Sequence, residues 1–298
     1  EMRLTVTFVV LCVAACSAGT VDPSDTTADA ATTTSTASTT TTSVPAGTTV
    51  TTAPTTTTTA TVLDPHAAPS WLGTRALPLR PDGYGEVQPT PPELIDRSIS
   101  TVDLLGPPDG TAFESTISPI PPDVLDRSTW SKGCPVTPDQ LAYVTVAHWG
   151  FDGDVHTGEL IVHADHAAGI VEVFARLHDA RFPIEQMRVI RSDELDLAPT
   201  GDGNITTAFV CRPAVGSASW SMHASGLAID INPFHNPYVK GDLVLPELAS
   251  AYADRADSRD GMIVEGGAVT EAFAAIGWHW GGRWTSLTDP MHFSVNNR

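Results

Sequence analysis

Basic residues are scarce in this chain: 16 Lys and Arg stand against 35 Asp and Glu, a formal charge of −19 over 298 residues. A surface that acidic repels phosphate backbones and anionic lipid headgroups, which argues against nucleic acid as a partner. Cysteine is sparse too, with four residues in all. Cys12 and Cys16 fall in an N-terminal apolar run, and Cys134 and Cys211 in the later, more regular part. That run, Leu4 to Ala15 behind Arg3, is too short to cross a bilayer and reads as an export leader. In an exported chain Cys134 and Cys211 read as one disulfide. The other reading, two metal-ligating thiols, has a spacing unlike any common Cys-rich zinc site. Hydrophobic residues make up an ordinary 41%, enough for one sizeable domain with appendages.

The leader ends in Val13-Ala14-Ala15-Cys16-Ser17, which resembles the bacterial lipobox, where the cysteine is acylated and heads the mature chain. The resemblance implies an exported protein, lipid-anchored through Cys16 on the outer face of a bacterial membrane and touching it nowhere else. A plain secretory leader containing a cysteine is the alternative. Residues 1–19 are thus the signal segment. Residues 20–62 are a Thr/Ser-rich linker that lacks the apolar surface to offset the entropy of ordering. Residues 63–133 are rich in proline, and their scattered apolar side chains (Trp71, Leu72, Leu104, Phe113, Trp130) suggest a segment that wraps the domain.

The regular domain is expected over 134–298. Leu141 to Trp149 reads as a strand, Phe151 to Asp154 as a turn, and Gly158 to His163 as the returning strand. Asp165 to Ala180 has Ile170, Val173, Phe174 and Leu177 at helical spacing behind an Asp cap, and Phe182-Pro183-Ile184 ends the helix. Met187 to Ile190 reads as another short strand. The sum is an α+β domain with a small, mostly antiparallel sheet and flanking helices.

Two stretches point to chemistry. In Ala228-Ile229-Asp230-Ile231 the isoleucines face the core and Asp230 the opposite side of a short strand. A carboxylate so placed needs a cationic partner, and Gly226 permits a bend that brings His223 back over it. Near the C-terminus, Phe293 and Val295 alternate inward and turn His292 outward. If these strands pair, His223, Asp230 and His292 converge from two strands into a zinc set with an open fourth position. Asp289, at the turn before His292, can then lean toward that position as a proton acceptor.

Ser221-x-His223-x-x-Gly226-x-Ala228-x-Asp230 followed by Asp289-x-x-His292 resembles the zinc D-alanyl-D-alanine carboxypeptidases and L-alanyl-D-glutamate endopeptidases. These cell-wall peptidases share the zinc-site fold of the Hedgehog signalling domain. The likeness extends from about Cys134 to the end, through Phe182-Pro183-Ile184, Ala208-Phe209-Val210-Cys211-Arg212 and Gly277-Trp278-His279-Trp280-Gly281-Gly282. It implies zinc as cofactor, peptidoglycan peptides as partners, His223, Asp230 and His292 as ligands, and Asp289 as base. It also implies that Arg212 binds substrate or the developing oxyanion and that Ser221 contacts substrate. Carboxypeptidase members often carry Glu at the place of Asp289, so substrate class is left open between the two reactions. Trp278, Trp280 and Trp284 fit either the cleft wall or the core; Trp280 is the substrate-contact candidate. His279 is the remaining histidine near the cleft.

Overall fold

The structure, a computed structural model, describes residues 64–214 and 217–297. The leader with Cys16 and the Thr/Ser-rich stretch 20–62 lie outside the described residues.

Strand β1 (Ser115–Ser118) is followed by α1 (Pro122–Arg127) and by a hairpin of β2 (Leu141–Trp149) and β3 (Val155–His163). The β2–β3 register runs from Leu141 opposite His163 to Trp149 opposite Val155. Gly153 at φ +83° and a Gly150 N–H bond to the Asp154 carbonyl (2.8 Å) close the turn. β1 pairs antiparallel with β2, Ser115 opposite Val146, so this sheet begins before Cys134. Helix α2 (Ala167–Asp179) lays Ile170, Val173, Phe174 and Leu177 against it, each buried. Asp165 does not cap this helix. A 3-10 turn, Ala164–His166, comes first, and the His163 ring accepts from the Asp165 N–H. The Trp149 indole N–H donates to the His178 carbonyl at 3.0 Å, covering an acceptor in the last turn.

Met187 to Ile190 does not form the expected strand. Only β4 (Gln186–Met187) pairs, in parallel with β5 (Ile205–Thr206). Beyond it the ladder is broken because the Val189 N–H turns to the buried Glu159 carboxylate. After β6 (Ala228–Asp230) come the hairpin β7 (Tyr238–Lys240) and β8 (Leu243–Leu245), helix α3 (Ala268–Ala275), β9 (His279–Trp280) and β10 (His292–Ser294). These assemble a second three-stranded antiparallel sheet in the order β6-β10-β9. The fold is therefore α+β, but the expected single sheet is divided into two three-stranded sheets and the two-stranded pairs β4-β5 and β7-β8. Only isolated bridges, such as Thr207 with Asp230, link the pieces. Phe293 of β10 stacks on Phe273 of α3 (ring centroids 4.0 Å apart), and Ile229 and Ile231 are fully buried beside them. No described helix is long and apolar enough to cross a membrane.

The proline-rich stretch from residue 64 onward shares one compact unit with the rest of the described chain. Leu94 and Ile99 bury themselves against Phe234, Leu248 and Tyr252. Arg97 forms a bidentate, buried pair with Glu185, at 2.7 and 2.6 Å. Breaking one side of such a pair would strand a charge in the core.

Two buried histidines set an acid sensitivity. Burial pushes His148 down to about 4 and His235 down to about 3. The His235 ring donates to the Arg97 carbonyl and accepts from the Asn204 amide, as the neutral form requires. A His with a depressed folded pKa contributes stability that is present above its unfolded value of about 6.5 and is lost as pH falls toward the folded value. His148→Gln is therefore expected to lose less stability than the parent between pH 7 and pH 5, by roughly 2 kcal/mol. Paired urea titrations at the two pH values measure the difference, and equal losses would refute it.

Candidate active site

His223 stands not on a strand but on a 3-10 turn, Met222–Ser225, so the expected pair of strands supplies only two of the three candidate ligands. The Ser221 hydroxyl caps this turn by accepting the His223 N–H. Gly226 closes it in the left-handed region at φ +66°, where its N–H reaches the His223 carbonyl and the Leu227 N–H reaches Met222. The Gly226 carbonyl then accepts from the His163 N–H at 2.9 Å, fastening the turn to β3. This seat leaves no room for a side chain: a Cβ on Gly226 would lie 2.5 Å from the His163 nitrogen.

The other two ligands face each other across a ladder. His292 is the direct partner of Asp230, Phe293 of Ile229, and Ser294 of Ala228. The alternation that buries Ile229, Ile231 and Phe293 turns Asp230 and His292 to one common face. His223 Nε2 lies 3.2 Å from Asp230 Oδ2 and 3.3 Å from His292 Nδ1, which is 3.0 Å from Asp230 Oδ1. Among the described residues, His223, Asp230 and His292 are the group whose donor atoms lie close enough together to hold a metal ion, all within 4.8 Å of one another.

The donors suit zinc. His223 Nδ1 is 2.6 Å from the Ala208 carbonyl, which can only accept, so the proton sits on Nδ1 and Nε2 offers its lone pair to the cluster. Burial opposes the Asp230 charge, but the His223 and His292 rings outweigh it and hold this carboxyl far below the usual range. Two imidazoles and one ionised carboxylate match the chemistry of a catalytic zinc site.

Asp289 sits beside this cluster, held by backbone bonds. Its N–H donates to the Gly281 carbonyl, and its own carbonyl accepts from the His292 N–H, both at 3.1 Å. Oδ1 is buried without a hydrogen-bond partner, an orphan acceptor next to the candidate metal position. Burial first, and then the Asp230 charge, push this carboxyl up to about 7, while His292 and Arg212 pull the other way. A cation held by the three candidate ligands would cancel the Asp230 charge and return this carboxyl toward its ionised, proton-accepting form.

Arg212 lies at a bend, its N–H turned back to the Val210 carbonyl at 2.9 Å and its own carbonyl accepting from the Ser221 N–H at 3.2 Å. Its neighbour Cys211 forms a disulfide with Cys134, and the Cys211 N–H bonds the Thr129 hydroxyl at 2.9 Å. The backbone beside Arg212 is therefore anchored on both sides. Arg212, Ser221, Asp289 and the three candidate ligands all line one cleft of about 420 Å³.

Trp280 is not part of that cleft wall. It is buried in the core, near Phe293, and its indole N–H donates to the Pro290 carbonyl at 2.8 Å. Its work is to hold the turn that carries Asp289. Trp278 is also buried, and His279 is exposed on the strand. The aromatic lining comes instead from Trp220, Tyr238 and Trp284. Trp284 packs its ring 5.5 Å from that of His292. Trp220 directly precedes Ser221 of the first motif, and that adjacency is its only sequence signal; Tyr238 follows the turn residues Asn236 and Pro237, which fits a place on the rim.

No curated protein and no solved structure gives a significant match to the chain. Residues 215–295, about a quarter of the chain, match the family model described as D-alanyl-D-alanine carboxypeptidase, which supports a peptidase of that family without singling out a member.

Proposed function

We propose that the protein is a zinc peptidase of peptidoglycan stem peptides, with removal of terminal D-alanine as the favoured reaction. The observation behind this reading is the convergence of His223, Asp230 and His292 beside a buried carboxyl, Asp289, in a cleft that also presents Arg212. Zinc bound by the three ligands would polarise a scissile carbonyl and make water nucleophilic at neutral pH. Asp289 accepts the proton of the attacking water and returns it to the leaving amine. Arg212 offers a fixed guanidinium to a substrate carboxylate or to the oxyanion. Ser221 positions His223 through its cap and faces the cleft, where it can also meet substrate.

A cut between L-alanine and D-glutamate is the second reading, favoured by Asp rather than Glu at position 289. On this proposal the catalytic part adopts the Hedgehog-type zinc fold. The leader with Cys16 delivers it to the outer face of a bacterial membrane, and the Thr/Ser-rich linker spans toward the wall.

Mass spectrometry of muropeptides before and after treatment tests the proposal. Loss of one terminal alanine mass is expected, and a split at the alanyl-glutamate bond would select the second reading. Chelation should stop the reaction and zinc should restore it. A protein that sediments with purified wall yet releases no peptide would be a binding module, and the peptidase reading would fall.

A further inference from the structure

A second hollow, of about 410 Å³, adjoins the cleft and shares Asp230 with it. Two further pairs of residues join the two spaces. Tyr238 of β7, on the cleft wall, is the cross-strand partner of Leu245 of β8, which lines the hollow; opposite residues of an antiparallel pair project to one side. Met291 lines the hollow and directly precedes His292, which lines the cleft. The Met291 N–H donates to the Asn236 carbonyl at 3.1 Å and its carbonyl accepts from the Ile231 N–H at 3.0 Å, so main chain holds this junction.

Another wall comes from residues 197–201, upstream of the family match. Leu197, Ala198 and Pro199 join Leu245, Pro246 and Met291 in an apolar lining. The stretch is fastened by its backbone. The Pro199 carbonyl accepts from the Leu77 N–H at 2.8 Å, and the Gly201 carbonyl from the Leu248 N–H at 2.9 Å. Leu197 is nevertheless 69% exposed. A single exposed leucine is ordinary, but a contiguous apolar lining beside a candidate metal position is the mark of a ligand site. Two carboxylates also border the hollow, Glu194 and Glu247. Arg188 holds Glu194 at 2.7 and 2.8 Å, whereas the buried Glu247 is met by the neutral Gly85 N–H at 2.7 Å. In a chain of net charge −19, that border disfavours a further negative charge.

A peptide cut at the metal has two arms. Arg212, in the cleft, draws the arm that ends in a carboxylate, which leaves the acyl arm to run past Asp230 into the hollow. On the favoured reaction the acyl residue at the cut bears only a methyl group, too small to fill about 410 Å³. The residue before it is the one that can carry a side chain of the right size.

We propose that the hollow bounded by Leu197, Leu245 and Met291 is a substrate subsite that takes a long aliphatic side chain from the residue preceding D-alanyl-D-alanine and rejects an acidic one there. The proposal rests on the peptidase reading above and adds the class of peptide preferred.

The test uses the zinc-loaded full chain and acetylated peptides X-D-alanyl-D-alanine, where X is norleucine, alanine or glutamate. kcat/KM for the norleucine peptide is expected to exceed that for the alanine peptide about tenfold, with the glutamate peptide poorest. Leu197→Ser should shrink the norleucine-to-alanine ratio to about threefold, and Leu197→Lys should improve the glutamate peptide about tenfold relative to norleucine. Each readout is a ratio within one preparation, so partial loss of folded protein cancels, and a merely structural loop would move all the peptides alike. A second arm measures binding of the same peptides to zinc-loaded Asp289→Ala by calorimetry, with and without Leu197→Ser. If the parent cleaves all the peptides within about twofold of one another, or if the Leu197 variants leave the ratios unchanged, this inference is overturned and the peptidase reading stands. If nothing is cleaved but binding still favours norleucine in a Leu197-dependent way, the peptidase reading fails and the subsite stands.

Discussion

Asp230→Ala is expected to weaken zinc binding roughly a thousandfold, about 4 kcal/mol, and to reduce hydrolysis to background. The reason is that Asp230 is the only anionic member of the set. Its two oxygens stand 3.2 Å from His223 Nε2 and 3.0 Å from His292 Nδ1, so it both supplies a charge-neutralising ligand and spaces the imidazoles. The backbone should survive the change, because the strand is held by Ile229 and Ile231 on its buried side. Asp289→Ala provides the contrast. It leaves all three ligands in place and should bind zinc normally while losing about 100- to 10,000-fold in kcat, the usual range for a general base. Competition against a chromogenic chelator reads the affinity and peptide release reads the rate. Asp230→Ala that keeps the parental affinity would remove it from the ligand set, and Asp289→Ala that keeps the parental rate would remove it as base.

Gly226→Ala should cost about 3–5 kcal/mol, at the upper end of single substitutions. Two penalties combine. A residue with a Cβ pays about 1–2 kcal/mol at φ +66°. The Cβ would also meet main chain, 2.5 Å from the His163 nitrogen and 2.8 Å from the Val162 carbonyl carbon, and neither can rotate away. The structure must therefore open the contact between β3 and the turn that carries His223, so zinc affinity should fall with stability. Gly153→Ala is the matched control, since Gly153 has φ +83° with nothing within 4 Å of an added Cβ, and it should show the backbone penalty alone. Equal urea midpoints for the two variants would mean that the close approach at Gly226 carries no cost.

The alternation of Ile229, Asp230 and Ile231 and of His292 and Phe293, read along the chain, was enough to place two candidate ligands on one face, because side-chain direction in a strand is a nearest-neighbour property. The apolar spacing of Ile170, Val173, Phe174 and Leu177 specified α2 on the same local grounds. Its start was misread, since the His163 ring caps a 3-10 turn that precedes the helix, and α2 itself begins after His166 with no side-chain cap. What lay beyond sequence was anything decided by segments far apart along the chain. Trp280 and Trp284 are chemically alike and four residues apart, yet one is enclosed by Phe293 and Pro290 and the other faces the cleft. The division of the strands among four separate sheets and the seating of His223 on a 3-10 turn against β3 arise the same way. The sequence by itself determined which side chains could do the chemistry; tertiary packing decided which of them share a cleft, because burial depends on neighbours that local pattern does not encode.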